Sequence, residues 1–277
     1  MSRFSLSRLW FYLGLLFLYA PMVILIIYSF NSARVVTVWA GFSTKWYGEL
    51  FSDTQLMNAV WTSLRIAFMT ACSAVVLGTM AAFVLVRFRP SRWKTAFSSM
   101  VTAPLVMPDV IIGLSLLLLF VAMADVLGWP KDRGMLTIWI AHVTFCSAYA
   151  AVVITSRLRE MDLSLEEAAM DLGATPLKTF FTITLPLLAP ALAAAWLLSF
   201  TLSLDDLVVA SFVSGPGATT LPMEVFSSVR MGISPKVNAL ATLIILVVSV
   251  AAFISWLMVR RADKRRLADL KAIKAAG

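Results

Sequence analysis

Three carboxylates stand inside long apolar stretches of the sequence: Asp109, Asp205 and Asp206. An ionisable group within a bilayer is costly and usually faces a cavity, a substrate path or an internal partner. Carboxylates combined with aromatic faces suit an organic cation, because the rings add cation–π contacts to the opposite charge. These residues are therefore candidates to line a substrate route, and such a lining would suit a cation. A helix cap or an internal pair is the structural alternative for each of them.

Asp205 and Asp206 are adjacent, so their side chains point about 100° apart if they lie on a helix. One of them can then line the route while the other pairs elsewhere. His142 is the only histidine, which excludes a cluster of histidines in this chain as a metal site. Its expected role is a hydrogen bond to a nearby Ser, Thr or carbonyl in helix packing. No metal site is predicted.

The elements that position these residues are helices that cross a membrane. Of the 277 residues, 60% are hydrophobic and 14% are charged, and the mean hydropathy is +0.88. A helix needs about 20 mostly apolar residues to cross the hydrocarbon core. We therefore predict an all-α integral membrane protein with a single transmembrane domain over residues 1–277. Its six predicted spans cover residues 9–30, 60–86, 97–122, 135–156, 187–212 and 237–259.

The distribution of Lys and Arg predicts the orientation of these spans. The two termini and the second and fourth connections hold 16 of these residues, against 6 in the other connections. Positive loops stay in the cytoplasm, so both termini are predicted to face it. The net charge of +8 is thus a topology signal, with anionic lipid headgroups as the expected partner. No nucleic-acid partner is predicted, because no basic stripe is interleaved with aromatic residues.

The fourth connection, residues 157–186, is longer than a simple link between helices requires. Ser164 and Glu167 have the spacing of a capping box, and Gly173 is a natural helix stop. Thr175-Pro176 has the N-cap and first-position residues of a new helix. We predict two short cytoplasmic helices that present a compact surface to a partner. A surface hairpin with an ordinary cap is the structural alternative.

The same connection carries Glu-Ala-Ala, then three residues and Gly, then nine residues and Ile-x-Leu-Pro. The fixed positions are Glu167, Ala168, Ala169, Gly173, Ile183, Leu185 and Pro186. This pattern resembles the EAA motif of ABC importer permeases and matches it at every fixed position. In that family the segment fits a socket on the ATPase subunit. The resemblance therefore implies that these residues couple the chain to an ATPase, although Glu167 can also act as the helix cap.

Four further stretches resemble the permeases of spermidine/putrescine ABC importers, and the putrescine-type second permease most closely. They cover residues 28–31, 103–109, 203–206 and 215–217. The resemblance implies a type I importer fold with a cytoplasmic coupling loop in a bacterial inner membrane. It also implies that this chain forms half of a path for putrescine, spermidine or both.

The resemblance implies three kinds of protein partner: a second homologous permease, two copies of a cytoplasmic ATP-binding subunit, and a periplasmic polyamine-binding protein. The sequence lacks the phosphate-binding pattern G-x-x-x-x-G-K-[ST]. ATP and magnesium are therefore expected to be used by the ATPase, while this chain binds no cofactor and is no enzyme by itself. The rival hypothesis is a stand-alone secondary transporter for organic cations, since such proteins also use broken helices and midplane carboxylates.

Overall fold

A computed structural model describes residues 6–34, 38–231 and 234–250, together with residues 253, 254, 257 and 260. The described residues are almost entirely helical, which confirms the predicted all-α class. The α-helices in chain order are α1 (Leu6–Ser29), α2 (Lys45–Ser52), α3 (Thr54–Arg87), α4 (Arg92–Thr102), α5 (Asp109–Leu127), α6 (Met135–Glu160), α7 (Ser164–Asp171), α8 (Pro176–Thr179), α9 (Leu185–Asp205), α10 (Val208–Val213), α11 (Leu221–Met231) and α12 (Pro235–Val250).

Five helical stretches are long and apolar enough to cross a bilayer. They are Arg8–Ser29, Thr54–Arg87, Asp109–Leu127, Met135–Glu160 and Pro176–Asp205. The shorter apolar helix α12 overlaps the predicted sixth span, 237–259. Residues 251, 252, 255, 256, 258 and 259 of that span lie outside the described residues. Five of the six predicted spans therefore correspond to helices of membrane length.

The prediction of one continuous span over 97–122 is wrong in its N-terminal part. Residues 97–102 belong to α4, a 3-10 turn follows at Ala103–Leu105, and α5 begins only at Asp109. Pro108 precedes α5 with extended backbone angles, φ −60° and ψ 139°. Proline lacks an N–H and disfavours helical geometry in the residue before it. The two prolines of this segment thus divide the apolar run into two elements.

The fifth span, predicted over 187–212, also differs from the structure at both ends. The helix already begins at Pro176, so the second half of the coupling loop is its first turns rather than a separate helix. A π-helical turn at Phe180–Thr184 joins α8 to α9 directly before Pro186. Such a turn loosens the hydrogen-bond ladder where a proline would otherwise clash with the preceding turn. At its other end the helix stops at Asp205.

The first of two compact units comprises residues 1–54 and 228–277. The side chain of Asn31 orders the segment after α1, since its Nδ2 donates to the Val38 carbonyl at 2.6 Å. Trp46 of α2 donates its Nε1 proton to the Asn31 carbonyl, also at 2.6 Å. Lys236 lies 3.0 Å from Asp53, so an ion pair ties the start of α12 to the end of α2.

The second compact unit comprises residues 55–227 and is built around α6, which packs against α9 and α10. Small residues allow close approach of membrane helices. A Cβ added to Gly78 of α3 would lie 2.7 Å from the Cβ of Ala150 of α6. A Cβ on Gly113 of α5 would meet the ring of Phe212 of α10 at the same distance. These contacts fix α3 and α5 against the helices that carry the candidate site.

Candidate functional site

A cavity of about 330 Å³ lies in the second unit, among α5, α6 and the end of α9. Its lining residues are Pro104, Asp109, Phe145, Tyr149, Leu202, Asp205, Asp206, Leu207 and Val208. The three carboxylates predicted from the sequence, which are up to 97 positions apart, thus meet around one cavity. Their role toward a cargo stays a prediction.

Asp109 is the first residue of α5, directly after the extended Pro108. The positive end of the helix dipole favours a carboxylate at this position. The Asp109 side chain is exposed, and no ion pair or side-chain hydrogen bond to it occurs within the described part of the chain. Its charge is therefore available to the cavity.

Asp205 and Asp206 have different environments, as their adjacent positions predict. Asp205 is exposed at the last turn of α9. Asp206 is only 9% exposed, and its two carboxylate oxygens accept from the backbone N–H groups of Val209 at 3.3 Å and Ala210 at 2.7 Å. These are the free donors at the start of α10. Asp206 therefore stabilises the break between α9 and α10 through these hydrogen bonds. Both residues line the cavity, but Asp205 is the more exposed of the two.

His142 connects this break to α6. Its ring is fully buried, with Nδ1 2.7 Å from Ser203 Oγ and Nε2 3.2 Å from Asp206 Oδ2. The predicted hydrogen bond to a Ser or Thr is confirmed. The contact with Asp206 was not predicted from the sequence, although Asp206 follows Ser203 by three positions, directly after the end of α9.

The aromatic part of the cavity comes from α6. Phe145 and Tyr149 are four residues apart, so both project from the same face of the helix and both line the cavity. A ring face attracts a cation within about 6 Å. The cavity thus combines two available carboxylates with two aromatic rings, an arrangement that can bind an alkylammonium ion.

The first half of the coupling loop contains the short helix α7, and the end of this helix is a Schellman motif. Gly173 has φ +85°, its N–H donates to the Met170 carbonyl at 2.8 Å, and the Ala174 N–H donates to the Ala169 carbonyl at 3.0 Å. The left-handed backbone is the reason for glycine at this position. The predicted stop at Gly173 is therefore confirmed.

The predicted restart of the helix is also confirmed. The Thr175 side chain accepts from the Lys178 backbone N–H at 3.3 Å, and Pro176 occupies the first helical turn. This geometry is the usual combination of an oxygen-bearing N-cap with a proline that needs no hydrogen-bond acceptor.

The predicted capping box at the start of α7 is wrong. The N-cap is Leu163, and no side-chain hydrogen bond caps the helix from that position. Ser164 instead donates its backbone N–H to Asp162 Oδ1 at 2.9 Å, and this hydrogen bond lowers the pKa of Asp162 below its ordinary value. Glu167 is exposed.

The fixed positions of the coupling pattern fall into two groups by exposure. Glu167, Ala168, Gly173 and Pro186 are exposed, while Ala169, Ile183 and Leu185 are half-buried. Three of the exposed residues, Glu167, Ala168 and Gly173, lie on α7 and around its end, where a partner protein can reach them, whereas Pro186 lies in the first turn of α9. Coupling of these residues to an ATPase stays a prediction.

Glu166, the neighbour of the first motif residue, was missed by the sequence analysis. Its Oε1 accepts from Arg87 Nη2 at 2.6 Å and from Thr184 Oγ1 at 2.8 Å. Arg87 ends α3 and Thr184 ends the π-helical turn. A single carboxylate oxygen therefore ties the coupling helix to two membrane-length helices.

Comparison with known proteins places the chain in a family. A family model described as "Binding-protein-dependent transport system inner membrane component" matches residues 74–267. The Putrescine transport system permease protein PotI of Escherichia coli (strain K12) is 67% identical over 94% of this chain and 92% of that protein. The Spermidine/putrescine transport system permease protein PotC of the same strain is 41% identical over 92% of this chain and 94% of that protein.

Solved structures share the fold at low sequence identity. A chain of a bacterial ABC transporter involved in import of the acidic polysaccharide alginate superposes with a TM-score of 0.69 and 17% identity, covering 92% of this chain and 98% of that one. A chain of the MetNI methionine ABC transporter gives a TM-score of 0.59 and 19% identity, over 74% of this chain and 94% of that one. The helices described above therefore have the arrangement found in ABC transporter chains.

Proposed function

Since this chain belongs to the family of binding-protein-dependent transport system inner membrane components, we propose that it is the permease subunit of an ATP-driven polyamine importer, with putrescine as its cargo. The cavity carries this proposal. Asp109 and Asp205 supply two exposed carboxylates, and Phe145 and Tyr149 supply two aromatic rings. A diamine has two ammonium groups joined by an apolar spacer, so its parts match the lining one by one.

The similarity to named proteins supports the same cargo. Identity to a putrescine permease is 67%, against 41% to a permease named for both spermidine and putrescine. A cavity of about 330 Å³ is within the usual range for small-molecule sites. The preference for putrescine does not depend on this chain alone, because a separate binding protein also selects the cargo.

The coupling loop supports an ATP-driven mechanism. An exposed helix with Ala168 on its surface and a hydrogen-bonded turn at Gly173 is suited to close docking against another protein. We propose that α7 docks on a cytoplasmic ATPase, of which the assembly holds two copies. ATP and magnesium are used there, and this chain binds neither.

The remaining partners complete the assembly. A second homologous permease forms the other half of the path, and a periplasmic polyamine-binding protein delivers the cargo. The excess of basic residues in the termini and in the second and fourth connections supports a cytoplasmic location for both termini. The chain is thus a multi-pass protein of the inner membrane whose α7 faces the cytoplasm.

Affinity purification of the tagged chain at native expression, with mass spectrometry of its companions, tests this proposal. We expect a second permease and an ATP-binding subunit. Ala168→Glu should lose the ATP-binding subunit and keep the second permease, because a long charged side chain prevents close docking. Ser164→Glu is the matched control, since it adds the same charge to an exposed position of α7 outside the motif. Recovery of the chain without any ATP-binding subunit would favour the secondary transporter.

A further inference from the structure

The contact among Glu166, Arg87 and Thr184 joins three elements at one atom. Glu166 Oε1 lies 2.6 Å from Arg87 Nη2 and 2.8 Å from Thr184 Oγ1. The side chains of Arg87 and Glu166 are only 21% and 17% exposed, and Thr184 is 2% exposed. Hydrogen bonds of this kind are stronger when one partner is charged and solvent is partly excluded. We call this contact the α7 latch.

The two neighbouring glutamates of α7 face opposite surroundings. Glu166 is directed into the latch, while Glu167, about 100° further around the helix, is exposed. One side of α7 is therefore bound to the membrane-length helices, and the other side is available to a partner. The latch is therefore a direct route by which movement of a partner docked on the exposed side can reach the membrane-length helices.

The helix that contains Thr184 ends at the cargo cavity. Pro176–Asp205 is a continuous helix of 30 residues, and Asp205 at its far end lines the cavity. At a rise of 1.5 Å per residue, Thr184 and Asp205 are about 30 Å apart along this helix. A displacement of α7 applied at Thr184 can therefore reach the cavity along one continuous helix.

We propose that Glu166 is a positioning residue that transmits the movement of α7 to α3 and α9, and so couples ATP hydrolysis to opening of the cargo cavity. This inference rests on the proposed function for its transport consequence, but the mechanical link itself does not depend on the cargo. Hydrogen exchange of the α7 amides in the complete assembly, without cargo, reports on the link directly.

Four variants test it. Glu166→Gln keeps the shape and removes the charge, and Thr184→Val removes one of the two hydrogen bonds. The double variant Arg87→Glu with Glu166→Arg reverses the ion pair and leaves the Thr184 hydroxyl able to accept. Glu160→Gln is the matched control, because Glu160 forms a longer ion pair with Arg157 at 3.5 Å and both side chains are largely exposed.

We expect the α7 amides to exchange about tenfold faster in Glu166→Gln, as the loss of a charge-assisted contact implies. The change should be smaller in Thr184→Val, and exchange should return toward the wild-type rate in the double variant. Glu160→Gln should exchange as the wild type does. Unchanged exchange in Glu166→Gln, or no recovery in the double variant, would overturn the latch.

The transport consequence is measured as cargo imported per ATP hydrolysed. Glu166→Gln should lower this ratio about tenfold with an unchanged KM for cargo, and the double variant should recover it. A normal ratio together with faster exchange would overturn the coupling role. If the wild-type assembly imports no polyamine, the proposed function fails, whereas the exchange measurement still decides whether the latch exists.

Discussion

Replacing Asp205 with Asn separates the charge of the cavity from its shape. Asp205 is exposed and lines the cavity, and Asn has nearly the same size without the charge. A hydrogen bond to a charged group contributes about 1.5 to 3 kcal/mol. Since about 1.4 kcal/mol corresponds to a factor of ten in rate, kcat/KM for putrescine should fall about tenfold to about a hundredfold. Assembly should be unaffected, because within the described residues no ion pair joins Asp205 to another helix.

Asp206→Asn is the matched variant, and its expected defect is different. Asp206 accepts from two backbone N–H groups at the start of α10 and contacts His142. Asn remains a good capping residue, but the charge-assisted part of these contacts is lost. We expect the permease to lose about 1 to 3 kcal/mol of stability. The cargo KM of the protein that still assembles should change little.

The assay combines uptake of radiolabelled putrescine into proteoliposomes with the thermal unfolding midpoint of each variant. The ATPase rate without binding protein is the control for assembly, and it should be unchanged in Asp205→Asn. Near-normal uptake by Asp205→Asn, together with a raised cargo KM and normal stability in Asp206→Asn, would show that the roles of the two residues are reversed.

Gly173→Asp should insert normally but hydrolyse ATP without matching uptake, because it adds a charge at the turn that ends α7. Gly173→Asn tolerates the same backbone and is uncharged, so its defect should be milder in a parallel uptake and ATPase assay. Gly78→Leu should lower the unfolding midpoint or abolish assembly, because its side chain would overlap Ala150, whereas Gly14→Leu, with open space around it, should leave the midpoint unchanged. His142→Leu should lose about 1 to 3 kcal/mol of stability because Ser203 is left buried without its partner, and an unchanged unfolding midpoint would contradict this.

Local signals in the sequence were sufficient for several features of the fold. Gly173 and the Thr175-Pro176 pair act through their own backbone preferences, so the structure confirms the stop and the restart of the helix. Membrane-length helices follow from apolar length alone. The same rule failed over 97–122, because hydropathy does not register where Pro108 interrupts the helix.

The sequence predicted which carboxylates line the candidate site, but it did not predict the different roles of Asp205 and Asp206. That Asp109, Asp205 and Asp206 share one cavity depends on how distant helices pack. Asp206 differs from Asp205 because it accepts from backbone N–H groups at the start of α10 and contacts His142, 64 residues earlier on another helix. Likewise, the adjacent glutamates Glu166 and Glu167 of α7 look equivalent in the sequence. Only the packing of Arg87 and Thr184 shows that Glu166 is the one that contacts the membrane-length helices.

The most direct test of the central claim is uptake of radiolabelled putrescine into proteoliposomes that contain this chain with its second permease, its ATP-binding subunit and the binding protein. We expect uptake that requires both ATP and the binding protein and that does not change when proton and sodium gradients are collapsed. Putrescine uptake driven by an ion gradient without ATP would contradict the claim, and so would an assembly that hydrolyses ATP but imports no polyamine.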